Sequence, residues 1–457
     1  MSAASRRLLR PGLLGAALLV GLALTSLATD FRYREDPGKT PAGVNYRFAK
    51  PLKTLDRGGS GGVRLALFGD WGMNTSVHSL VADGLHAFQK TGKDADRSLH
   101  AVIMAGDNFY TKGVKGLDDP KWEKLWGKAF RRVNVPFFVA LGNHDYGYGP
   151  ECAQFQVEKT GTEGFENWVC KDLNGPGNPG IFWERWLQTE DFDVQLVFID
   201  TSLLLVSKMR LFRKWPEHMQ WLWERLDAAP PERPVKARGE PTLVRLVVGH
   251  HVPSCFGEKE GEVAFINAKA NKVGPGRRSL TEILRERATA YLCGHAHTVQ
   301  YINLDGKAVR PRKGPIHGKI RRLRKQVPLQ ILSGTGGECR QTSYWGDPCY
   351  YVARLPGFTS IVLDRKKGKA TLTASFVDCR HRGLPRPIFG LRMPVDSPNA
   401  RDAEAKAESE TPTPPRRRAY SRDKTKGKAG DGQNDPAGSS SQDSQGGKTG
   451  QDSSDRE

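Results

Sequence analysis

The sequence predicts one layered α/β domain, and three observations lead there. Short apolar runs alternate with stretches of helical spacing from Val63 to about Pro394. Several of the runs are almost continuously apolar, as strands covered on both faces are. Five of them end in a short motif rich in Asp, Asn, Tyr or His, which is where an open α/β sheet gathers its working residues.

The elements follow in order. Val63 to Phe68 reads as a strand, and Val77 to Gln89 as a helix, with apolar Val77, Leu80, Val81, Leu85 and Phe88 on one face. Ala101 to Ala105 and Pro136 to Leu141 are the next strands, separated by a helix over Lys121 to Arg131. Further strands are expected at Val194 to Ile199, Leu243 to Val248, Thr289 to Cys293 and Leu329 to Leu332, with a late pair at Phe358 to Leu363 and Ala370 to Phe376. A helix over Pro216 to Ala229 opens with proline, which suits the first helical position. Its Trp221, Leu222, Trp223 and Leu226 are expected to anchor the core. No internal repeat and no second domain are evident in the 457 residues.

Both ends differ from this body. Arg6, Arg7 and Arg10 precede an apolar stretch from Leu13 to Ala28, closing on Ser26-Leu27-Ala28, so residues 1–28 read as a secretory signal peptide or, if uncleaved, a type II membrane anchor. Either way the catalytic part is expected in the secretory pathway, secreted, lumenal or at the cell surface. Residues 29–62 form an extended lead-in. Residues 395–457, almost bare of large apolar side chains from Pro398 onward, read as a disordered low-complexity tail.

The chain carries 70 Lys and Arg against 50 Asp and Glu, a formal charge of +20. Much of the excess lies in a basic insertion at 307–325, including Arg310, Arg312, Lys313, Lys319, Arg321, Arg322, Arg324 and Lys325. A solvated insertion is expected there, with nucleic acid disfavoured as a partner. Seven cysteines suit an oxidising compartment, and the spacings Cys152 to Cys170 and Cys339 to Cys349 suit local disulfides. Cys293, inside an apolar run, is expected as a buried free thiol. Asn74-Thr75-Ser76 is a glycosylation sequon.

The motifs carry the chemistry: Gly69-Asp70-Trp71-Gly72, Gly106-Asp107-Asn108-Phe109-Tyr110, Gly142-Asn143-His144-Asp145, Gly249-His250-His251 and Gly294-His295-Ala296-His297. A metal pair at a phosphoester needs a bridging carboxylate and hard oxygen and imidazole ligands. Asp70 and Asp107 offer carboxylates, Asn143 a carbonyl oxygen, and His250, His295 and His297 imidazoles. Tyr110 is the unusual member, because a phenol with a pKa of about 10 becomes a ligand only when a strongly Lewis-acidic ion displaces its proton. That points to ferric iron.

These motifs, with Val299-Gln300-Tyr301 and Ser333-Gly334, resemble the purple acid phosphatases, in particular the small tartrate-resistant type, within the calcineurin-like metallophosphoesterases. The resemblance implies two central mixed sheets flanked by helices, an α-β-β-α sandwich spanning 63–394. It also implies Fe3+ on Asp70, Tyr110 and His297, a divalent partner (Fe2+, Zn2+ or Mn2+) on Asn143, His250 and His295, and Asp107 bridging. A metal-bound hydroxide would then attack a phosphate monoester, with His144 assisting the leaving oxygen and Asp145 orienting a neighbour or closing a turn. Most of the superfamily has Asp-x-His first, whereas Trp71-Gly72 follows Asp70 here and Tyr110 takes the place of that histidine.

One departure concerns substrate handling. The small purple enzymes carry another histidine shortly after Gly-His, and Val252 to Glu260 contains none. His251 points away from His250 by simple alternation, and Lys259 is a candidate phosphate contact by charge alone. The alternative activities are a metallophosphodiesterase or nuclease and, from another class, a non-catalytic lumenal or surface binding protein on the same fold.

Overall fold

A computed structural model describes residues 61–396 apart from 91–98, 172–181, 203–214, 234–236, 238, 258, 268–271, 273–275, 307–318, 341–348 and 382–384. The leader, nearly all of the lead-in, most of the basic insertion and all but the start of the tail lie outside the described residues. No described helix is long and apolar enough to cross a membrane.

In chain order the strands are β1 (Val63–Phe68), β2 (Ala101–Ala105), β3 (Phe137–Ala140), β4 (Trp168–Val169), β5 (Trp183–Gln188), β6 (Phe192–Phe198), β7 (Thr242–Val248), β8 (Ala290–Cys293), β9 (Val299–Asn303), β10 (Lys319–Arg322), β11 (Leu329–Ser333), β12 (Cys349–Ala353), β13 (Gly357–Lys366), β14 (Lys369–Asp378) and β15 (Arg386–Pro394). The helices are α1 (Ser76–Lys90), α2 (Pro150–Glu158), α3 (Trp215–Asp227), α4 (Glu260–Ile266) and α5 (Leu280–Arg287). A π-helical segment, Trp122–Gly127, runs into a short α-turn, Lys128–Phe130, where a plain helix was expected.

Two mixed sheets result. The first has the order β10-β15-β14-β13-β1-β2-β3-β4, with β1 to β4 parallel. The second has the order β12-β9-β11-β8-β7-β6-β5, with β6, β7, β8 and β11 parallel. Within the basic insertion, Lys319–Arg322 form β10 and pair in parallel with β15 where a loop was expected, and Arg322, Arg324 and Lys325 are exposed.

Alternation within each strand sorts side chains into layers. Leu65, Leu67, Ile103, Ala105, Phe138 and Ala140 face inward against Val194, Leu196, Phe198, Leu246 and Leu292 of the second sheet. Their neighbours Ala66, Phe68, Val102, Met104 and Val139 face outward, covered by Val81 and Leu85 of α1 and by Trp126 and Phe130. Val197, Val247 and Tyr291 face the opposite outer layer, where Met219, Leu222 and Leu226 of α3 and Ile283 and Leu284 of α5 pack. The α-β-β-α sandwich is therefore visible as three separate apolar clusters. Each buried Leu, Val or Phe contributes about 1.5–3 kcal/mol relative to exposure.

Two core expectations are modified. Trp221 and Trp223 are only partly buried against this layer, and Trp223 lies under the guanidinium groups of Arg278 and Arg287. Cys152, Cys170, Cys339 and Cys349 are thiols and not the expected disulfides. Cys170 packs in the aromatic cluster beside Trp168, whereas the Cys152 Cβ lies against Gly113. Cys293 is buried as expected, and burial pushes its thiol well above the usual range.

Candidate metal centre

Every motif residue sits just beyond the carboxyl end of a parallel strand. Asp70 follows β1, Asp107 and Tyr110 follow β2, Asn143 and His144 follow β3, His250 follows β7, and His295 and His297 follow β8. The two sheets are stitched at that edge by backbone bonds from Gly69 N to Ser333 O (2.8 Å) and from Gly336 N to Gly69 O (3.1 Å). Turning the chain so sharply requires unusual backbone. Asp70, Asp107 and His295 have φ of 58°, 54° and 72°, a left-handed conformation that costs a non-glycine residue about 1–3 kcal/mol and clusters at functional sites. Two motif glycines are dictated by close approach. A Cβ on Gly106 would lie 2.6 Å from His250 Nδ1, and one on Gly142 would lie 2.3 Å from Asp107 Oδ1.

The carboxylates and imidazoles converge on one buried cluster. Tyr110 Oη lies 2.8 Å from Asp107 Oδ2, 3.2 Å from Asp70 Oδ1 and 3.1 Å from His297 Nε2. His250 Nε2 lies 3.2 Å from Asp107 Oδ2 and 3.2 Å from His295 Nδ1. Asn143 stands between Gly142 and His144, both of which touch Asp107, and its buried Oδ1 has no hydrogen-bond partner among the described residues.

The outer nitrogens decide which ring atoms face the cluster. His250 Nδ1–H donates to the Ala105 carbonyl at 2.8 Å, His295 Nε2–H to Glu262 Oε2 at 2.5 Å, and His297 Nδ1–H to Glu338 Oε2 at 2.8 Å. Each ring therefore presents a lone pair inward. With the rings neutral, His250 Nε2 and His295 Nδ1 oppose two lone pairs at 3.2 Å, which a proton on His250 relieves in the metal-free protein, while the single phenol proton of Tyr110 faces three acceptors. Such an arrangement calls for cations. Burial works against a proton on His250, yet Asp107 and Asp70 outweigh it and bring its pKa up to about 9. Burial raises the Tyr110 pKa, and the charges of Asp70 and Asp107 raise it further, so ionising that phenol needs a strong Lewis acid. The donor set fits a metal pair: hard oxygens and imidazole nitrogens with one shared carboxylate.

His144 lies at the edge, its ring centroid 4.4 Å from that of Tyr110. Its backbone N–H donates to Asp107 Oδ1 at 2.9 Å, and its Nδ1 donates to the Thr111 carbonyl at 2.7 Å, leaving Nε2 to exchange protons. Asp145 both closes its turn and orients its neighbours. It accepts from the backbone of Gly142, Asn108 and Phe109 and from the amides of Asn108 and Gln156.

Alternation misplaces His251. The strand ends at Val248, and beyond it the His251 ring turns to lie 4.9 Å from that of His250 and 4.3 Å from that of His295. Thr201 Oγ1 accepts the His250 and His251 amides, at 3.2 and 2.9 Å. With both lone pairs used, its hydroxyl donates to His251 Nδ1 at 2.9 Å, which puts the ring proton on Nε2. That buried N–H has no acceptor among the described residues. His250, His251 and His295 offer ring nitrogens within 4.8 Å of one another that could hold a metal ion, although the Thr201 bond leaves His251 Nε2 as a donor. Lys259 is not an open phosphate contact, since its ammonium lies 3.1 Å from Glu262 Oε1.

Sequence reasoning passed over Glu262 and Glu338. They stand 33 and 41 residues from the histidines they hold, and no motif in the sequence links them.

A family model described as calcineurin-like phosphoesterase matches residues 63–299. Tartrate-resistant acid phosphatase type 5 of Oryctolagus cuniculus is 26% identical over 245 residues, which span 52% of this chain and 68% of that protein. Purple acid phosphatase 17 of Arabidopsis thaliana is 25% identical over 268 residues, spanning 56% and 67%. Among solved structures, one titled "GAP50 the anchor in the inner membrane complex of Plasmodium" aligns with a TM-score of 0.51 at 19% identity, covering 75% of this chain and 94% of that one. That likeness is one of fold.

Proposed function

Because the chain belongs to the calcineurin-like phosphoesterases, we propose that it is a phosphomonoesterase of the purple acid phosphatase kind. Asp70, Tyr110 and His297 would hold ferric iron, Asn143, His250 and His295 a divalent iron, zinc or manganese ion, and Asp107 would bridge. One observation carries this reading: the Tyr110 hydroxyl is surrounded by Asp70, Asp107 and His297 acceptors that one proton cannot satisfy. When bound, the metal pair supplies positive charge to phosphoryl oxygens and acidifies water.

The chain's own residues do the rest. Glu262, Glu338 and the Ala105 carbonyl fix the ligand histidines in the tautomers that face inward. His144, held through Nδ1, delivers a proton from Nε2 to the departing alcohol. We place this activity in the secretory pathway on the pattern of the leader.

Metal analysis, a visible spectrum and hydrolysis of an aryl phosphate against its diaryl diester test the proposal together. A purple, iron-containing protein that prefers the monoester and loses its colour on Tyr110→Phe is expected. Preference for the diester would move the activity to a phosphodiesterase. Iron-free, colourless and inactive protein would overturn the reading in favour of a binding protein.

A further inference from the structure

His144, His250, His295 and His297 each have a part in the reading above, and His251 has none. It is completely buried. Its ring lies against the two imidazoles assigned to the divalent ion, with centroids 4.9 Å from His250 and 4.3 Å from His295, and a ring nitrogen of each of the three lies within 4.8 Å of the others. Backbone and ring are both pinned. Tyr291 Oη donates to the His251 carbonyl at 2.8 Å, Thr201 Oγ1 accepts the His251 amide at 2.9 Å, and the same hydroxyl stands 2.9 Å from Nδ1.

Thr201 sets what this ring can offer. Its oxygen accepts the backbone N–H groups of His250 and His251, so its own proton points at Nδ1 and the imidazole hydrogen sits on Nε2. To bind a metal through Nε2 the ring would have to move that hydrogen to Nδ1, and Thr201 Oγ1 would then face three N–H donors with two lone pairs. What the ring holds instead is a buried N–H with no acceptor among the described residues. Such a donor is costly to bury and calls for a partner that the fold does not supply. His250 Nε2 and His295 Nδ1 are not that partner once they face metal, because each has a single lone pair. We propose that His251 donates its Nε2–H to a phosphoryl oxygen of the bound substrate, on the side of His250 and His295, with Thr201 as the positioning residue that fixes the tautomer. The inference rests on the phosphomonoesterase reading. No proton is transferred: His251 keeps its hydrogen throughout, whereas the part of His144 is to give one up.

The tautomer is tested first, in the metal-free protein, by nitrogen NMR of labelled histidine. His251 should appear as the Nε2–H form; Thr201→Val should give a mixture and Thr201→Ser should not. An Nδ1–H ring in the unsubstituted protein would overturn the proposal. In the metal-loaded protein, calorimetry with inorganic phosphate is set beside metal content and hydrolysis of p-nitrophenyl phosphate. His251→Phe, which keeps a ring, should weaken phosphate about tenfold and lower kcat/KM by at least as much with both metals retained, one hydrogen bond to a charged group being lost. His251→Gln, whose amide N–H stands in for Nε2–H, should recover most of the affinity. Loss of metal along with phosphate would make His251 a ligand and overturn the donor. Unchanged phosphate affinity, or Gln no better than Phe, would overturn it too. If the unsubstituted protein hydrolysed no aryl phosphate yet bound inorganic phosphate through His251, the donor would stand and the phosphatase reading would fall.

Discussion

Asp145→Asn offers a sharp test of how the site is held. Oδ1 of Asp145 accepts from Asn108 N (2.9 Å), Gln156 Nε2 (3.0 Å) and Phe109 N (3.2 Å), while Oδ2 accepts from Gly142 N (2.8 Å) and Asn108 Nδ2 (3.1 Å). Burial and the charge of Asp107 push the Asp145 pKa up, yet five N–H donors face it, so the ionised form is the one the surroundings satisfy. Asparagine in its better orientation keeps the first oxygen and turns an amino group toward the two donors of the second. Each buried donor left without an acceptor costs about 1–3 kcal/mol. The variant should therefore lose about 2–6 kcal/mol of a total of roughly 5–15 kcal/mol. Urea unfolding at pH 7 reads this directly. Because the same bonds fix the residues flanking Asp107 and Asn143, metal content after dialysis should fall as well. Unchanged unfolding midpoint and full metal content would refute the clamp.

Two further expectations concern the cluster itself. In the metal-free protein His250 titrates at about 9, with Asp107 and Asp70 outweighing burial. It is therefore protonated at pH 7 and must give up about one proton when metal binds, so calorimetric heats should depend on the buffer and affinity should rise with pH toward 9. Heats independent of buffer would sink this assignment. Glu262→Gln and Glu338→Gln, each removing the carboxylate that holds a ligand histidine, should weaken metal about 10–100-fold in a chelator competition. Retention of native affinity would show that the rings hold their tautomers unaided.

The central strands could be read because they are covered on both faces and so run apolar, as in Val194 to Phe198 or Leu243 to Val248. Edge strands could not. The β5 segment, Trp183–Gln188, mixes charges with tryptophans because only one neighbour covers it, and the basic residues of β10 look like a solvated loop until β15 lies beside them. The motif residues were legible because each follows a strand, and strand ends meet in this architecture. The partners of those residues were not. Thr201 and His251, or Glu338 and His297, meet only through tertiary folding, and alternation along the strand gave the wrong side for His251 once the strand had ended.

The two carboxylates divide their oxygens in the same way. Asp70 Oδ2 accepts the His295 amide at 2.8 Å, and Asp107 Oδ1 accepts the His144 amide at 2.9 Å. These bonds fix the loops, and they help to repay the strain of left-handed backbone at both aspartates. The other oxygen of each, Asp70 Oδ1 and Asp107 Oδ2, faces Tyr110 and the imidazoles. A scaffold on the same fold would need only the first oxygen, for which a neutral amide would serve. Two buried carboxylates brought against a phenol and three imidazoles find only the proton on His250 as a counter-charge in the metal-free protein, and buried charge left without one is costly. They make sense where a cation offsets them, and so the half of each carboxylate that folding does not use is the half that favours a metal-holding centre over a metal-free scaffold.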